Sequence, residues 1–246
     1  MDVFLEKTIQ ALNVNPDDKR LSGGFCFDCD DNKEDCILVM GINPAGDSID
    51  ALREKNNQSR TYFFSLKNSG KFEYCSNVYF NPIYEFANRI TSDNSKCPWC
   101  SKSRSEILEE IHRYNDLLPY EKDILEQFDA SCHRKITIYI ADMFYYHETS
   151  QSNLPLRKKF PYSKYCIDMM KEHINFLKAH NKSIKFVYVN NAKVSKWMCG
   201  TQVLTSQEIN GTKIFYGGML SGQRAMDVFS RERLEREIKD YLTKTK

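Results

Sequence analysis

The sequence predicts an α/β protein, a three-layer α/β/α domain around a central, mostly parallel four-stranded sheet. Three observations point there. Apolar, β-branched runs occur at residues 36–40, 136–144, 184–189 and 213–216, and such runs read as strands buried on both faces. The stretches between them carry helical periodicity, the pattern of parallel strands joined by crossover helices. The first run feeds directly into Gly41-Ile42-Asn43-Pro44-Ala45-Gly46. There glycine permits close backbone approach and proline stiffens a tight turn.

The elements follow in order. Residues 1–12 place Val3, Phe4, Leu5, Ile9 and Leu12 on one side of a short amphipathic helix. A polar connector with proline and glycine spans 13–24, and an acidic loop after Cys26-Phe27-Asp28-Cys29 leads into the first strand. A helix is expected from 47 to 55, capped by Asp47 or Ser48. Residues 56–100 are rich in aromatics, most of which read as core, with a planar-ligand pocket as the sharper alternative. Helices are expected at 103–114 and 120–128.

The second strand, 136–144, carries Asp142 near its end. A polar loop at 148–155 precedes the basic Arg157-Lys158-Lys159, and 162–180 forms a long helix with Tyr165, Cys166, Met169, His173, Phe176 and Leu177 along one side. The third strand runs into Asn190-Asn191, and the fourth into Gly217-Gly218-Met219-Leu220-Ser221-Gly222-Gln223-Arg224. An amphipathic helix at 230–242 closes the chain. With no repeat or long linker, one domain over 1–246 with an insertion around 56–130 is the simplest architecture.

Composition bounds the function. Hydrophobic residues make up 41% of 246, enough for a real core and against global disorder. Lys+Arg 35 against Asp+Glu 33 leaves a net charge of +2, so any nucleic-acid surface must be local. No apolar run reaches membrane-spanning length, and the amino terminus lacks the basic-then-apolar form of a signal peptide. The expectation is a cytoplasmic protein with no membrane partner.

Nine cysteines without a secretion signal read as reduced thiols. Cys26-Phe27-Asp28-Cys29 and Cys97-Pro98-Trp99-Cys100 both have the C-x-x-C spacing that lets two thiolates share a tetrahedral metal. A four-thiolate structural zinc is the expectation, beside the plainer reading of two unrelated pairs.

Taken together, the loops after the first and fourth strands resemble the uracil-DNA glycosylase superfamily. Its members place a Gly-x-Asp-Pro or Gly-x-Asn-Pro-Gly-type turn after the first strand. They close the site with a His-Pro-Ser-Pro-Leu-Ser-Ala-His-Arg-Gly-like loop after the fourth. Here the first reads Gly41-Ile42-Asn43-Pro44-Ala45-Gly46 and the second Tyr216-Gly217-Gly218-Met219-Leu220-Ser221-Gly222-Gln223-Arg224-Ala225, with Leu220-Ser221 and Arg224 coinciding.

The resemblance implies a DNA glycosylase that flips a base out of the stack and hydrolyses its N-glycosidic bond without a catalytic cofactor. Asn43 stands where the family positions its water, within a pocket turn of Gly41, Ile42, Pro44 and Ala45. An amide orients water but is no strong base, so catalysis would rest on positioning and electrostatics. Leu220 would fill the hole left in the duplex, and Ser221, Gly222 and Arg224 would contact the backbone. An iron–sulfur cluster becomes the alternative to zinc, since some branches carry one.

Two departures matter. The family histidine falls on Tyr216 or is absent. The amide that reads uracil aligns with Asp142, whose carboxylate only accepts, which points to a cytosine-type or modified base. Each residue also has a plainer reading. Asn43 can bond its own turn, Asp142 can cap a helix or pair with a lysine, and Tyr216 can be structural. Arg157-Lys158-Lys159 can be a solvated patch rather than a phosphate contact, and His147 reads as a surface histidine, with an acid–base role second. The rival functions are a catalytically inactive DNA-binding protein of the same fold and a nucleoside or nucleotide hydrolase. A place in repair or in antiviral defence is left open.

Overall fold

The computed structural model describes residues 3–21, 29, 31–43, 65–66, 72–73, 81–91, 113, 137–148, 150–200, 205–220 and 225–245. In chain order these form α1 (Val3–Leu12), β1 (Glu34–Gly41), β2 (Ser65–Leu66), β3 (Phe72–Glu73), α2 (Asn81–Thr91), β4 (Thr137–Asp142), α3 (Tyr162–Ala179), β5 (Lys182–Val189), α4 (Ala192–Cys199), β6 (Ser206–Ile209), β7 (Thr212–Tyr216) and α5 (Val228–Lys244). The helices expected at 47–55, 103–114 and 120–128 lie outside the described residues, Arg113 apart. The chain groups into two compact units. One comprises Met1–Arg60, Thr137–Met219 and Arg224–Asp227, and the other Thr61–Ile136, Leu220–Gln223 and Val228–Lys246.

The first unit is built on a five-stranded sheet in the order β4-β1-β5-β7-β6. The expected four strands are all present and mostly parallel, but a fifth, β6, adds antiparallel to β7 at the edge. Its Ser206-Gln207-Glu208 is polar, so it carries no apolar run of the kind that marks the other four. The turn announced it, however. Asn210 (φ 50°) and Gly211 (φ 67°) both adopt the left-handed region, and Asn-Gly favours that two-residue hairpin geometry.

β1 is an interior strand between β4 and β5, with Cys36 to Gly41 all buried. Cys36, Leu38 and Met40 share a face with Tyr139, Ala141, Val187, Val189, Ile214 and Tyr216, packed with buried residues of α1, α3 and α4. The alternate residues, including Ile37, Val39, Ile138, Ile140, Phe186 and Tyr188, are equally buried on the other face. This explains why the strands read as unbroken apolar runs.

α3 buries Tyr165, Cys166, Met169, Met170, His173, Ile174 and Leu177 along one stripe, as its 3.6-residue period demands. Within it, His173 donates from Nδ1 to the Met169 carbonyl (2.7 Å) and accepts at Nε2 from the Tyr145 hydroxyl (2.8 Å). Burial holds its pKa down to about 4, so it is a neutral core residue. Thr8 of α1 accepts from the Tyr145 amide (3.1 Å), and the Tyr165 hydroxyl donates to the Met143 carbonyl (2.6 Å). The segment leaving β4 is thereby tied to both helices.

At the amino ends of the strands, the fully buried Lys182 ammonium pairs with Glu34 at 3.0 Å. Glu34 also accepts from Thr137 (2.6 Å) and Tyr139 (2.5 Å). Burial alone would raise the Glu34 pKa, but these three donors outweigh it and hold the carboxyl below its ordinary value. They also pin β1, β4 and β5 in register.

In the second unit, α2 buries Ile83, Phe86, Ala87 and Ile90, and α5 buries Leu234 and Ile238. Both Nε and Nη2 of Arg89 lie 2.9 Å from one carboxylate oxygen of Glu235, joining the two helices. Among the described residues no helix is long and apolar enough to cross a membrane.

Candidate functional site

The site forms where β4, β1 and β5 end. In the parallel ladder Gly41 lies opposite Asp142. The pairing continues past both strands, with the Met143 amide donating to Gly41 (3.2 Å), Phe144 to Ile42 (2.9 Å) and Asn190 to Met40 (2.9 Å). Asn43, Asp142 and Asn190 are thus delivered to one edge of the sheet, the carboxyl edge where open α/β sheets bind ligands.

Asn43 is half-buried, and its Nδ2 donates to the Glu148 carbonyl at 3.0 Å. A carbonyl cannot face another carbonyl, so this bond decides which way round the amide sits. Asn43 therefore bonds across to the segment after β4, beyond its own turn. Asp142 is half-buried too, and burial pushes its pKa up to about 7. Its side chain shares the sheet face of Ile138 and Ile140, because side chains alternate along a strand. Asp142 therefore exchanges its proton at neutral pH.

Glu148 is itself held. Arg20 places Nη1 3.1 Å from the Glu148 carboxylate and grips Asp18 with Nε (3.1 Å) and Nη2 (2.9 Å). The Tyr146 hydroxyl donates to the same Asp18 carboxylate (3.0 Å), and the guanidinium lies 4.8 Å from the Tyr146 ring centroid. The Arg20 bonds hold the Asp18 carboxyl down at about 2. The Arg20 carbonyl also accepts from the His147 amide (2.7 Å), beside a bridge between Leu21 and Tyr146. His147 itself is only 5% exposed. It is no surface histidine.

No family model, curated protein or solved structure matches this chain. The site must be judged on its own geometry.

Tyr216 does not join Asp142. In register it lies opposite Val189, which pairs with Met40, and that row belongs to the helix-packed face. Its phenol is pushed up by burial, and its hydroxyl has no hydrogen-bond partner among the described residues. The two residues that follow β7 are held by two side chains. The Tyr188 hydroxyl donates to the Gly218 carbonyl (2.5 Å), and Ser195 Oγ donates to Gly217 (2.8 Å). A Cβ at Gly217 would stand 2.6 Å from the Tyr188 oxygen, so this position requires glycine.

Leu220 is buried at 6% exposure. Ser221, Gly222 and Arg224 lie outside the described residues, as do Pro44 and Ala45 of the turn. So do Cys26, Cys97 and Cys100, while the half-buried Cys29 thiol sits 3.8 Å from the Tyr139 hydroxyl. Asn191, next to Asn190, caps α4 by accepting from Lys193 (2.9 Å) and Val194 (3.1 Å). Arg157, Lys158 and Lys159 are exposed, with Arg157 also donating to the Gln10 carbonyl at 3.2 Å.

Sequence reading missed the Asp18–Arg20–Glu148 linkage. Asp18 and Arg20 sit in a polar connector with no local pattern, and Glu148 is 128 residues from Arg20. No signal short of the fold could have joined them.

Proposed function

We propose that the chain is a DNA N-glycosylase acting on a flipped-out base, with a 4-amino pyrimidine such as cytosine or a modified cytosine as its substrate. The observation that carries this reading is the pairing of Gly41 with Asp142, with Asn43 two residues beyond it. A water-orienting amide and a base-reading carboxyl thus end adjacent strands. The amide positions water at the sugar carbon and contributes by orientation rather than by strong basicity.

Asp142, with its pKa near 7, has two recognition states. Ionised, it only accepts, so it meets the 4-amino group of cytosine and repels O4 of uracil. Protonated, it also donates and tolerates O4. Exposed Lys158 and Lys159 are available for phosphate contact. The duplex-wedge role requires Leu220 to leave its buried position when DNA binds.

The test is excision by purified protein on oligonucleotides carrying uracil, cytosine or modified cytosines. Abasic sites from 4-amino bases, reduced about 10²-fold or more in Asn43→Ala, are expected from loss of a positioning group. Tight DNA binding with no abasic product from any base would instead favour the second reading, a non-catalytic DNA-binding protein. One observation favours that rival. Tyr216, at the family's histidine position, is turned to the face opposite Asp142.

A further inference from the structure

We propose that Arg20 is a positioning residue for Asn43, acting through Glu148. This rests on the reading of Asn43 as the water-orienting group. The connection is continuous. Asp18 fixes the guanidinium with a two-pronged contact (3.1 and 2.9 Å), the guanidinium holds the Glu148 carboxylate (3.1 Å), and the Glu148 carbonyl accepts from Asn43 (3.0 Å). The planar guanidinium fork suits this task, since it engages two carboxylates at once in fixed directions. A lysine supplies the same charge but a single point of attachment.

The arrangement does more than stabilise the fold. The Arg20 side chain is 55% exposed, although Asp18 and Glu148 are only 19% and 13% exposed, so solvent at the guanidinium screens much of what the pairs contribute to folding. Its effect falls on geometry. Glu148 lies in an irregular segment, outside the strand ladder that fixes Gly41 and Asp142. Without the Arg20 contact the Glu148 residue loses a side-chain anchor, and the Asn43 amide that donates to its carbonyl is held less firmly. A misplacement on the order of 1 Å in a catalytic group costs about 10²-fold in rate.

The test compares wild type, Arg20→Gln, Arg20→Lys, Asn43→Ala and Arg20→Gln/Asn43→Ala on a cytosine-type oligonucleotide. For Arg20→Gln the expected result is a fall in kcat of about tenfold or more, with KM and the urea midpoint unchanged. Arg20→Lys falls in between, and the double variant is no slower than Asn43→Ala alone, since both act on one group. The Asn43 side-chain amide resonances, followed by NMR, shift in Arg20→Gln.

An active wild type with an equally active Arg20→Gln overturns the positioning role alone. So does a kcat loss that multiplies with that of Asn43→Ala, or one that follows a loss of stability. No abasic product from wild-type protein on any base overturns the reaction and the role together.

Discussion

Near pH 7 the Asp142 carboxyl stands between its two protonation states, pushed there by burial. This makes base choice a function of pH under the proposed reading. As pH rises through about 7 the carboxyl ionises, its O–H donor disappears, and contact with O4 of uracil turns repulsive. The ratio of cytosine-type to uracil excision is therefore expected to climb across that window and to level off above it. Asp142→Asn, which keeps a donor and an acceptor at every pH, removes the dependence. Excision ratios measured from pH 6 to about 8 decide the matter; a flat ratio in wild type removes Asp142 from base reading. The sequence displayed the acid but not its state, because the pKa depends on what covers the end of β4. Asn43 was similarly visible as the residue after a strand, whereas its bond to Glu148 spans 105 residues.

At the level of elements, the loop after β7 depends on a close approach. Gly217 passes the Tyr188 ring so tightly that a Cβ would meet the hydroxyl oxygen at 2.6 Å and a ring carbon at 2.9 Å. Tyr188 is fully buried and cannot swing away. Gly217→Ala is expected to destabilise the protein by about 1–3 kcal/mol, the usual cost of overpacking, read as a lower urea midpoint. An unchanged midpoint shows that the loop relaxes freely. Strands β1, β4, β5 and β7 were legible because a strand buried on both faces leaves an unbroken apolar record. β6 was not, since an edge strand of Ser206, Gln207 and Glu208 carries no such record. α4 was hidden for another reason. Its eight residues include Lys193, Ser195 and Lys196, so its start shows mainly in the cap Asn191.

For the whole molecule, two groups shifted by desolvation oppose each other in pH. His173 titrates near 6.5 when unfolded and about 4 when folded. Its contribution is complete above 6.5 and lost as pH falls toward 4. Asp142 has the reverse order, 3.8 unfolded and about 7 folded, so its contribution is lost as pH rises between those values. Each is worth on the order of 3 kcal/mol over its range, and between about pH 4.5 and 6.5 they largely cancel. Asp142→Asn is expected to make stability rise with pH in that window, and His173→Gln to make it fall. Urea melts across the window test both slopes, and parallel profiles for all three proteins defeat the assignment. The interior place of β1, between two strands that come much later in the chain, also has a consequence for synthesis on the ribosome. Its neighbours β4 and β5 begin at Thr137 and Lys182, so this apolar strand emerges roughly 100 residues before the first of its two sheet partners. At about 5–20 residues per second that is a wait of roughly 5 to 20 seconds. During this wait Cys36-Ile37-Leu38-Val39-Met40 lacks the strands that complete its ladder, which makes it a natural target for a chaperone acting on the nascent chain.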